Sequence, residues 1–290
     1  MSAASAGLFL LCCSPRLRVL LMLEELFGNN KAVIGVVHLL PLPGSARYDG
    51  QLDLVLARAE QEAAALASGG VNGIIIENFF DVPFAKNRVD TATACAMTLA
   101  AQRVKAISGL PLGINVLRND ARSAIAIAAA VGAQFIRVNV LTGAMLCDQG
   151  IIEGEAHELM LYRKLLGLDR SLKIFADVMV KHAVPLAQWS DIRLVAKDTV
   201  KRALADAIII SGRATGDAPQ QDDLDAVREA LPDTPIFIGS GSSRENVRDF
   251  LEVADGVIVA SSVKRQGLVE NPVDVGKIRA LVDTVHRIKN

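Results

Sequence analysis

Eight short apolar runs, spread along nearly the whole chain, constrain its fold more than any other feature. Each run is rich in β-branched residues and too short for a free-standing helix, which indicates a strand buried on both faces. The last two runs open the segments Ile236–Gly241 and Ala254–Ser262, which end in small polar residues. The first six predicted strands are Ala32–Val37, Gly73–Ile76, Leu112–Val116, Phe135–Val140, Lys173–Val178 and Ala207–Ile210.

Segments with helical periodicity or helix-forming composition lie between and after these runs. The predicted helices are Leu52–Ala67, Thr91–Ile107, Ala121–Ala130, Glu153–Leu166, Asp198–Ala203, Asp222–Ala230, Arg244–Leu251 and Val273–Ile288. Strict alternation of strands and helices makes a parallel sheet, and eight such units favour a closed barrel. The sequence therefore predicts an α/β fold, a single-domain (β/α)8 TIM barrel over residues 31–290.

Residues 1–30 precede the barrel and differ from it in composition. Met1–Cys13 is apolar and uncharged, arginines follow it, and the first acidic residue is Glu24. A secretory signal carries its positive charge before the apolar run, and this run is too short to span a bilayer. Three alternatives stay open: an organellar presequence, a cap helix at Leu20–Phe27 below the barrel, and a translation start at Met22. We favour a short extension that does not enter a membrane.

Charge and cysteine content argue against several functions. A formal net charge of −1 provides no general basic field for nucleic acid or for an anionic membrane surface. The cysteines lack zinc-site spacing. No cofactor is expected, and a divalent metal stays open as an alternative that the sequence does not itself indicate. The cysteine pattern fits a reducing compartment, the cytoplasm, and Cys95 is expected in the core. The four cysteines are Cys12, Cys13, Cys95 and Cys147.

The ends of the last two strands are the expected phosphate site. In (β/α)8 barrels the loops after strands seven and eight, together with a short helix, commonly bind phosphate through backbone N–H groups. Glycines there let the backbone approach an anion closely. The candidate phosphate-binding residues are Gly239, Ser240, Gly241, Ser261 and Ser262. A small phosphorylated molecule is therefore the expected partner.

Polar side chains at the other strand ends are the catalytic candidates, because barrel chemistry occurs at this face. Glu77 directly follows Ile74–Ile76, where an unpaired carboxylate would be unfavourable. Lys181 has three candidate roles: phosphate binding, carbonyl polarisation and Schiff-base formation. The remaining candidates act as acids, bases or proton shuttles. The predicted catalytic set is His38, Glu77, Asp177, Lys181 and His182.

A second set of strand-end residues is expected to bind substrate. Arg137 and Asn139 alternate along one strand, so both side chains point to the same side. An interior arginine needs an anionic partner, which is Glu77 or a ligand carboxylate or phosphate. The Asn78–Phe84 loop carries aromatic residues beside the mouth, as a lid, a subunit contact or a loop packed on its own barrel. The predicted substrate-binding residues are Asn115, Arg137, Asn139, Thr215 and Gly216.

Several long motifs follow one another along the chain, including Ile34–Gly44, Asn115–Asp120, Phe135–Asn139, Asp148–Gly154, Phe175–Val178 and Gly239–Gly241. These motifs resemble those of the BtpA/SgcQ family. The resemblance runs in order over roughly residues 31–285 and implies a fold similar to the ribulose-phosphate-binding barrels. The family takes its name from a factor needed for photosystem I accumulation in cyanobacteria.

Three functions follow from these features. The first is an enzyme that acts on a small phosphorylated sugar or nucleoside as an isomerase, a lyase or a glycosidic-bond-cleaving enzyme. The second, implied by the family name, is a non-catalytic assembly factor of a membrane complex, bound peripherally. The third is a metal-dependent hydrolase that uses Glu77, Asp177 and His182. Barrels of this size often pair, so a homo-oligomer is also expected.

Overall fold

A closed barrel of eight parallel strands forms the body of the protein. The computed structural model describes residues 15–186, 191–212 and 214–288. Numbered in chain order, the strands are β1 (Ala32–His38), β2 (Gly73–Glu77), β3 (Leu112–Asn115), β4 (Phe135–Val138), β5 (Ala144–Cys147), β6 (Gly150–Glu153), β7 (Lys173–Val178), β8 (Ala183–Pro185), β9 (Ala207–Ile210), β10 (Ile236–Ile238) and β11 (Gly256–Val259). The barrel order is β1-β2-β3-β4-β7-β9-β10-β11, and β11 pairs back to β1. The predicted (β/α)8 fold is confirmed.

Helices cover the outside of the barrel. They are α1 (Pro15–Phe27), α2 (Leu52–Gly69), α3 (Thr91–Ser108), α4 (Ala121–Val131), α5 (Ala156–Leu165), α6 (Ile192–Lys201), α7 (Gln221–Ala230), α8 (Val247–Val253) and α9 (Val275–Ile288). Within the described ranges, no helix combines the length and apolarity needed to cross a membrane. Two short 3-10 helices, Ser261–Val263 and Arg265–Gly267, follow β11.

Several predicted boundaries differ from the structure for local reasons. The strand expected over Phe135–Val140 ends at Val138, and the helix expected from Asp198 begins at Ile192. Asp191 explains that start, because its carboxylate caps the helix by accepting a hydrogen bond from the Arg193 N–H at 2.9 Å. Asp120 caps α4 in the same way, by accepting a hydrogen bond from the Ser123 N–H at 3.0 Å. Predicted segments within residues 1–14 lie outside the described residues.

A three-stranded antiparallel sheet beside the barrel was not predicted. Strands β5 and β6 form a hairpin across Asp148 and Gln149, and β8 pairs with the other edge of β5. The helix expected from Glu153 therefore begins only at Ala156, after the hairpin. Gly150, with φ +88°, occupies the left-handed conformation that lets the chain reverse. This small sheet follows β4 and β7, whose ends carry site residues.

Helix α1 closes the bottom of the barrel. Phe27 packs edge-on against Phe135, Phe175 and Phe237, at ring-centroid distances of 5.6, 6.3 and 6.1 Å. These rings are buried together with Leu23 of α1. The helix expected at Leu20–Phe27 is therefore present, begins at Pro15 and covers the barrel floor. Within the described residues, packed side chains therefore fill this end of the barrel.

The prediction that Cys95 belongs to the core is wrong. Cys95 lies on the exposed side of α3, one position away from the face that packs on the barrel. That face is made of Thr93, Ala96, Met97, Ala100, Ala101 and Val104. Because a helix turns about 100° per residue, an apolar neighbour of a buried position is often exposed.

Candidate active site

The first three strands end in a row of polar side chains at the barrel mouth. His38 pairs in register with Glu77, and Glu77 pairs with Asn115, so the three residues lie at the same height. The Asn115 side-chain amide donates to Glu77 Oε1 at 3.0 Å. All three side chains are buried. The register of the parallel strands thus places one carboxylate between an imidazole and an amide.

Arg137 joins this row to β7 through a buried charge cluster, defined here as Glu77, Arg137 and Asp177. Its Nη1 donates to Glu77 Oε1 at 3.2 Å, and its Nε and Nη2 contact both Asp177 oxygens at 3.1 to 3.3 Å. Asn139 Nδ2 also donates to Asp177 Oδ2 at 2.6 Å. One guanidinium therefore binds two carboxylates, the bidentate geometry to which arginine is suited.

The pKa shifts of Glu77 and Arg137 favour their charged forms. Burial alone would raise the pKa of Glu77, but the charge of Arg137, with a smaller contribution from Lys181, outweighs it and lowers the pKa. Burial opposes the charge of Arg137, yet Asp177 and Glu77 together raise its pKa. Glu77 is therefore a carboxylate at neutral pH, balanced by a fixed guanidinium.

His38 is a neutral imidazole in this setting. Burial is the main cause that lowers its pKa to about 3, despite the opposing effect of Glu77. Its Nε2 lies 3.7 Å from Glu77 Oε2, and its ring stacks on Phe79 at 4.2 Å between centroids. The buried Nδ1 atom has no hydrogen-bond partner within the described residues. His38 thus fixes the position of Phe79 and leaves one polar atom facing no protein group.

Lys181, like Arg118, lines the aromatic side of the mouth and forms no ion pair with a carboxylate in the described residues. It is partly buried, and no hydrogen-bond acceptor among the described residues contacts its Nζ atom. Burial, followed by repulsion from Arg137, lowers the pKa of this amine. Arg118 Nη2 donates to the Lys181 carbonyl at 2.7 Å and so anchors its backbone. This amine is therefore available to a ligand.

His182, the next residue, is exposed and bound to the loop after β9. Its Nε2 accepts a hydrogen bond from the Thr215 backbone N–H at 3.2 Å and lies 2.9 Å from Thr215 Oγ1. Because a backbone N–H can only donate, neutral His182 carries its proton on Nδ1. Burial and the neighbouring Lys181 both lower its pKa. His182 thus ties two mouth loops together.

A small cavity follows the last two strands of the barrel and is called the glycine–serine cavity. Its volume is about 250 Å³. All five predicted phosphate-binding residues line it, as do Gly216 and Thr215. Gly241 has φ +72°, and a Cβ atom there would lie 2.3 Å from the Ala218 backbone nitrogen, so only glycine fits. The segment after β10 is thus packed closely on the backbone of the segment that follows β9.

Residues whose backbone N–H groups are unpaired within the described ranges line the glycine–serine cavity. Gly241, Ser242, Ser261 and Ser262 each have a backbone N–H that reaches no protein acceptor in the described part of the chain. Two predicted groups are already in use, because the Gly239 N–H donates to the Ile210 carbonyl and Ser240 Oγ donates to the Asp217 carbonyl. The Gly239 N–H and the Ser240 hydroxyl are therefore engaged within the protein, whereas the Ser240 backbone N–H has no acceptor among the described residues.

Sequence analysis missed Ser242. Its side chain is 2% exposed, lines the glycine–serine cavity, and has a hydroxyl without a hydrogen-bond partner in the described ranges. The signal was present, because Ser242 directly follows Gly241, the residue that turns the chain at the cavity wall. A buried hydroxyl without a partner is unfavourable unless a ligand or water binds it.

A larger cavity adjoins the first and is called the aromatic cavity. Its volume is about 740 Å³, and Phe79, Phe80 and Phe84 line it. Asn115, Asn139 and His182 also belong to its lining. The two cavities share five lining residues: Glu77, Phe79, Arg137, Lys181 and Thr215. They are therefore two parts of one mouth, with Glu77, Arg137 and Lys181 at the junction.

The structure does not place all predicted site residues equally. His38 lines the glycine–serine cavity, whereas Asp177 lies behind Arg137 and lines neither of the two cavities. In residues 15–186, 191–212 and 214–288, no group of three or more His, Cys, Asp or Glu side chains could hold a metal ion. Glu77, Asp177 and His182 are not assembled as metal ligands there. Arg137 and Thr215 hold them instead.

Several known proteins are similar to this chain in sequence or in fold. The sequence model of the BtpA family matches residues 29–287. The photosystem I biogenesis protein BtpA of Synechocystis is 54% identical over 91% of each chain. The putative sgc region protein SgcQ of Escherichia coli is 32% identical over 92% of this chain and 98% of its own. The solved structure of KGPDC from Streptococcus mutans has the same fold, with a TM-score of 0.58 at 13% identity over 90% of this chain and 100% of that one. This chain belongs to the BtpA family.

Proposed function

We propose that the protein is an enzyme that binds a small phosphorylated metabolite at the barrel mouth and catalyses proton transfer on it. The observation that carries this proposal is the joined pair of cavities. One cavity offers neutral N–H donors, and the other opens beside the charge cluster, with Lys181 between them. A ligand that occupies both would hold its phosphate on one side and its reacting carbon near Lys181.

The glycine–serine cavity suits a phosphate group. The residues that line it include four whose backbone N–H groups have no protein acceptor in the described residues, and Ser242 adds a buried hydroxyl without a partner in the same ranges. Backbone donors near a helix start bind anions without requiring a charged side chain. Lys181 lines the same cavity and adds a positive charge. Small sugar phosphates and nucleotides have the matching chemistry.

Lys181 is the group best suited to carry the proton. A general acid or base acts best when its pKa lies near the working pH, and burial moves the pKa of Lys181 downward in that direction. Glu77 is bound to Arg137 and Asn115, so it is suited to accept hydrogen bonds from sugar hydroxyls. Arg137 lines both cavities and can stabilise negative charge that develops on substrate oxygen.

Asp177 and His182 have positioning roles in this scheme. Asp177 holds the Arg137 guanidinium from behind, with Asn139 bound to the same carboxylate. His182 fixes Thr215 beside the glycine–serine cavity. These roles need no exposure to substrate. They keep the cation and the loop in the geometry that the ligand requires.

Replacing Lys181 with methionine is expected to abolish most activity and to preserve the fold. We expect the turnover of phosphorylated metabolites to fall by about 100-fold to 10,000-fold, the usual contribution of a positioned acid or base. The measurement is mass spectrometry of a cell metabolite extract after incubation with each protein. Wild type should consume a phosphorylated compound that K181M leaves unchanged. Equal consumption by both proteins would contradict the role of Lys181.

A second function is favoured by one comparison, the 54% identity to a protein named for photosystem I biogenesis. In that case the barrel is a non-catalytic scaffold, and its function does not need catalysis at the barrel mouth. The test expresses this chain in Synechocystis cells that lack their own relative. Restoration of photosystem I by both wild type and K181M would support assembly without catalysis. Restoration by wild type alone would support the enzyme.

A further inference from the structure

We propose that the phosphorylated ligand also carries a planar heteroaromatic ring, which lies in the aromatic cavity. The inference rests on the proposed function, since it names the substrate class of the same mouth. The glycine–serine cavity, at about 250 Å³, is the smaller part, and the aromatic cavity, at about 740 Å³, is the larger one. A phosphate with a short sugar leaves most of the larger cavity unfilled.

The lining of the aromatic cavity favours a ring over a second sugar. Phe79, Phe80 and Phe84 line it with Val82 and Leu117. Sugar hydroxyls placed against these five apolar side chains would lose hydrogen bonds to water, although polar residues such as Arg118 and Asp148 line other parts of the cavity. A planar ring instead gains contact area and favourable stacked or edge-on geometry. The wall chemistry therefore selects a flat, weakly hydrated group.

The three phenylalanines differ in what they already contact. Phe79 stacks on His38, and Phe80 meets Phe79 edge-on at 5.3 Å with an interplanar angle of 90°. Phe84 forms no ring pair within the described residues. The first two rings are thus held in place by the protein, while Phe84 retains its faces for a ligand.

Polar groups beside these rings favour a heteroaromatic ring. Asn139 lines the aromatic cavity and is 3% exposed, and its Oδ1 atom has no hydrogen-bond partner in the described chain. Its Nδ2 is committed to Asp177, so the remaining oxygen is an acceptor that needs a donor. A ring with an N–H at its edge supplies one. A nucleobase combines a flat face with such an edge.

The residues that line both cavities indicate where the central part of the ligand lies. Glu77, Arg137 and Lys181 line both cavities and therefore lie between the phosphate and the ring. The sugar that links the two groups would lie beside them. The substrate class is thus a phosphorylated sugar that bears a nucleobase-like ring, as in a nucleoside monophosphate.

Calorimetric binding of five probes to the whole chain tests this inference. The probes are ribose 5-phosphate, AMP, GMP, CMP and UMP. We expect at least one nucleotide to bind wild type about tenfold more tightly than ribose 5-phosphate, equivalent to about 1.4 kcal/mol, within the range of base stacking on aromatic side chains. In Phe84→Ala this preference should disappear, whereas ribose 5-phosphate affinity should change by less than about twofold.

Two controls separate the ring from the fold and from the phosphate. Leu165→Ala removes an apolar side chain that is 78% exposed on α5, so it should leave every affinity unchanged. Ribose 5-phosphate binding as tightly as the best nucleotide would overturn the ring assignment. If Ser262→Asp still weakened ribose 5-phosphate binding in that case, the proposed phosphate site would be supported without the ring assignment. Failure of all five probes to bind would overturn both proposals.

Discussion

Replacing Arg137 with methionine is expected to lower the free energy of unfolding by about 3–5 kcal/mol, the usual effect of removing one partner from a buried ion pair. Arg137 is 3% exposed, and it holds Glu77 and Asp177, which are 6% and 5% exposed. The variant leaves two carboxylates buried near each other without a cation. Urea unfolding followed by circular dichroism measures the difference.

Two matched variants show whether charge causes that loss. In the triple variant Arg137→Met, Glu77→Gln, Asp177→Asn, the buried charges are gone together, so most of the stability should return. Arg103→Met removes an exposed arginine 3.7 Å from Glu60 and should change stability by less than about 1 kcal/mol. An Arg137→Met variant that is no less stable than Arg103→Met would contradict the cluster.

The pH dependence of the Arg137→Met effect has a defined sign. In folded wild type the pKa of Glu77 is lowered from 4.5. Its contribution to the free energy of unfolding is therefore fully present above that value, and it is lost as the pH falls through the lowered pKa. Without Arg137, burial dominates and raises the pKa of Glu77. Protonation of Glu77 then removes the unfavourable buried charge and restores part of the variant's stability. The stability difference should therefore shrink between about pH 7 and pH 5.

Replacing Ser262 with aspartate is expected to weaken binding of ribose 5-phosphate by about 100-fold or more, because like charges in a binding site cost several kcal/mol. Ser262 lines the glycine–serine cavity and is partly exposed, so the longer side chain has room. Gly241 is less suitable, since any Cβ atom there would collide with the Ala218 backbone. Isothermal titration calorimetry measures the affinity.

Ser262→Asn is the matched control for this variant. Asparagine has nearly the shape of aspartate but no charge, so it should retain affinity within about tenfold of wild type. The difference between the two variants therefore reports the charge of the ligand. Equal weakening by both would indicate a steric effect and would remove the support for a phosphate at this position.

The barrel could be predicted because its strands are buried on both faces. Runs such as Ile74–Ile76 are uninterrupted and β-branched, and no amphipathic helix has that pattern. The antiparallel sheet escaped prediction because Ala144–Cys147 and Gly150–Glu153 are short and partly exposed. Helix-forming residues directly follow the second of these strands, so the helix that corresponds to α5 was predicted to begin at Glu153.

The sequence predicts which polar residues lie at the barrel mouth, but it does not predict which of them form ion pairs with each other. Strand ends converge in a barrel, so polar residues such as Glu77 and Arg137 were expected to meet there. Alternation along β4 gives the direction of Arg137, yet it does not show that the guanidinium binds Asp177 as well. The loop that carries Lys181 contains two left-handed residues, Met179 and His182, and residue spacing does not reveal that geometry.

A crystal structure of the protein with ribose 5-phosphate tests the central claim most directly. The account predicts the phosphorus atom in the glycine–serine cavity, with phosphate oxygens accepting hydrogen bonds from the backbone N–H groups of Gly241, Ser242, Ser261 and Ser262, and with the sugar beside Lys181. A phosphate bound elsewhere on the barrel, or a mouth left empty at saturating ligand, would contradict it.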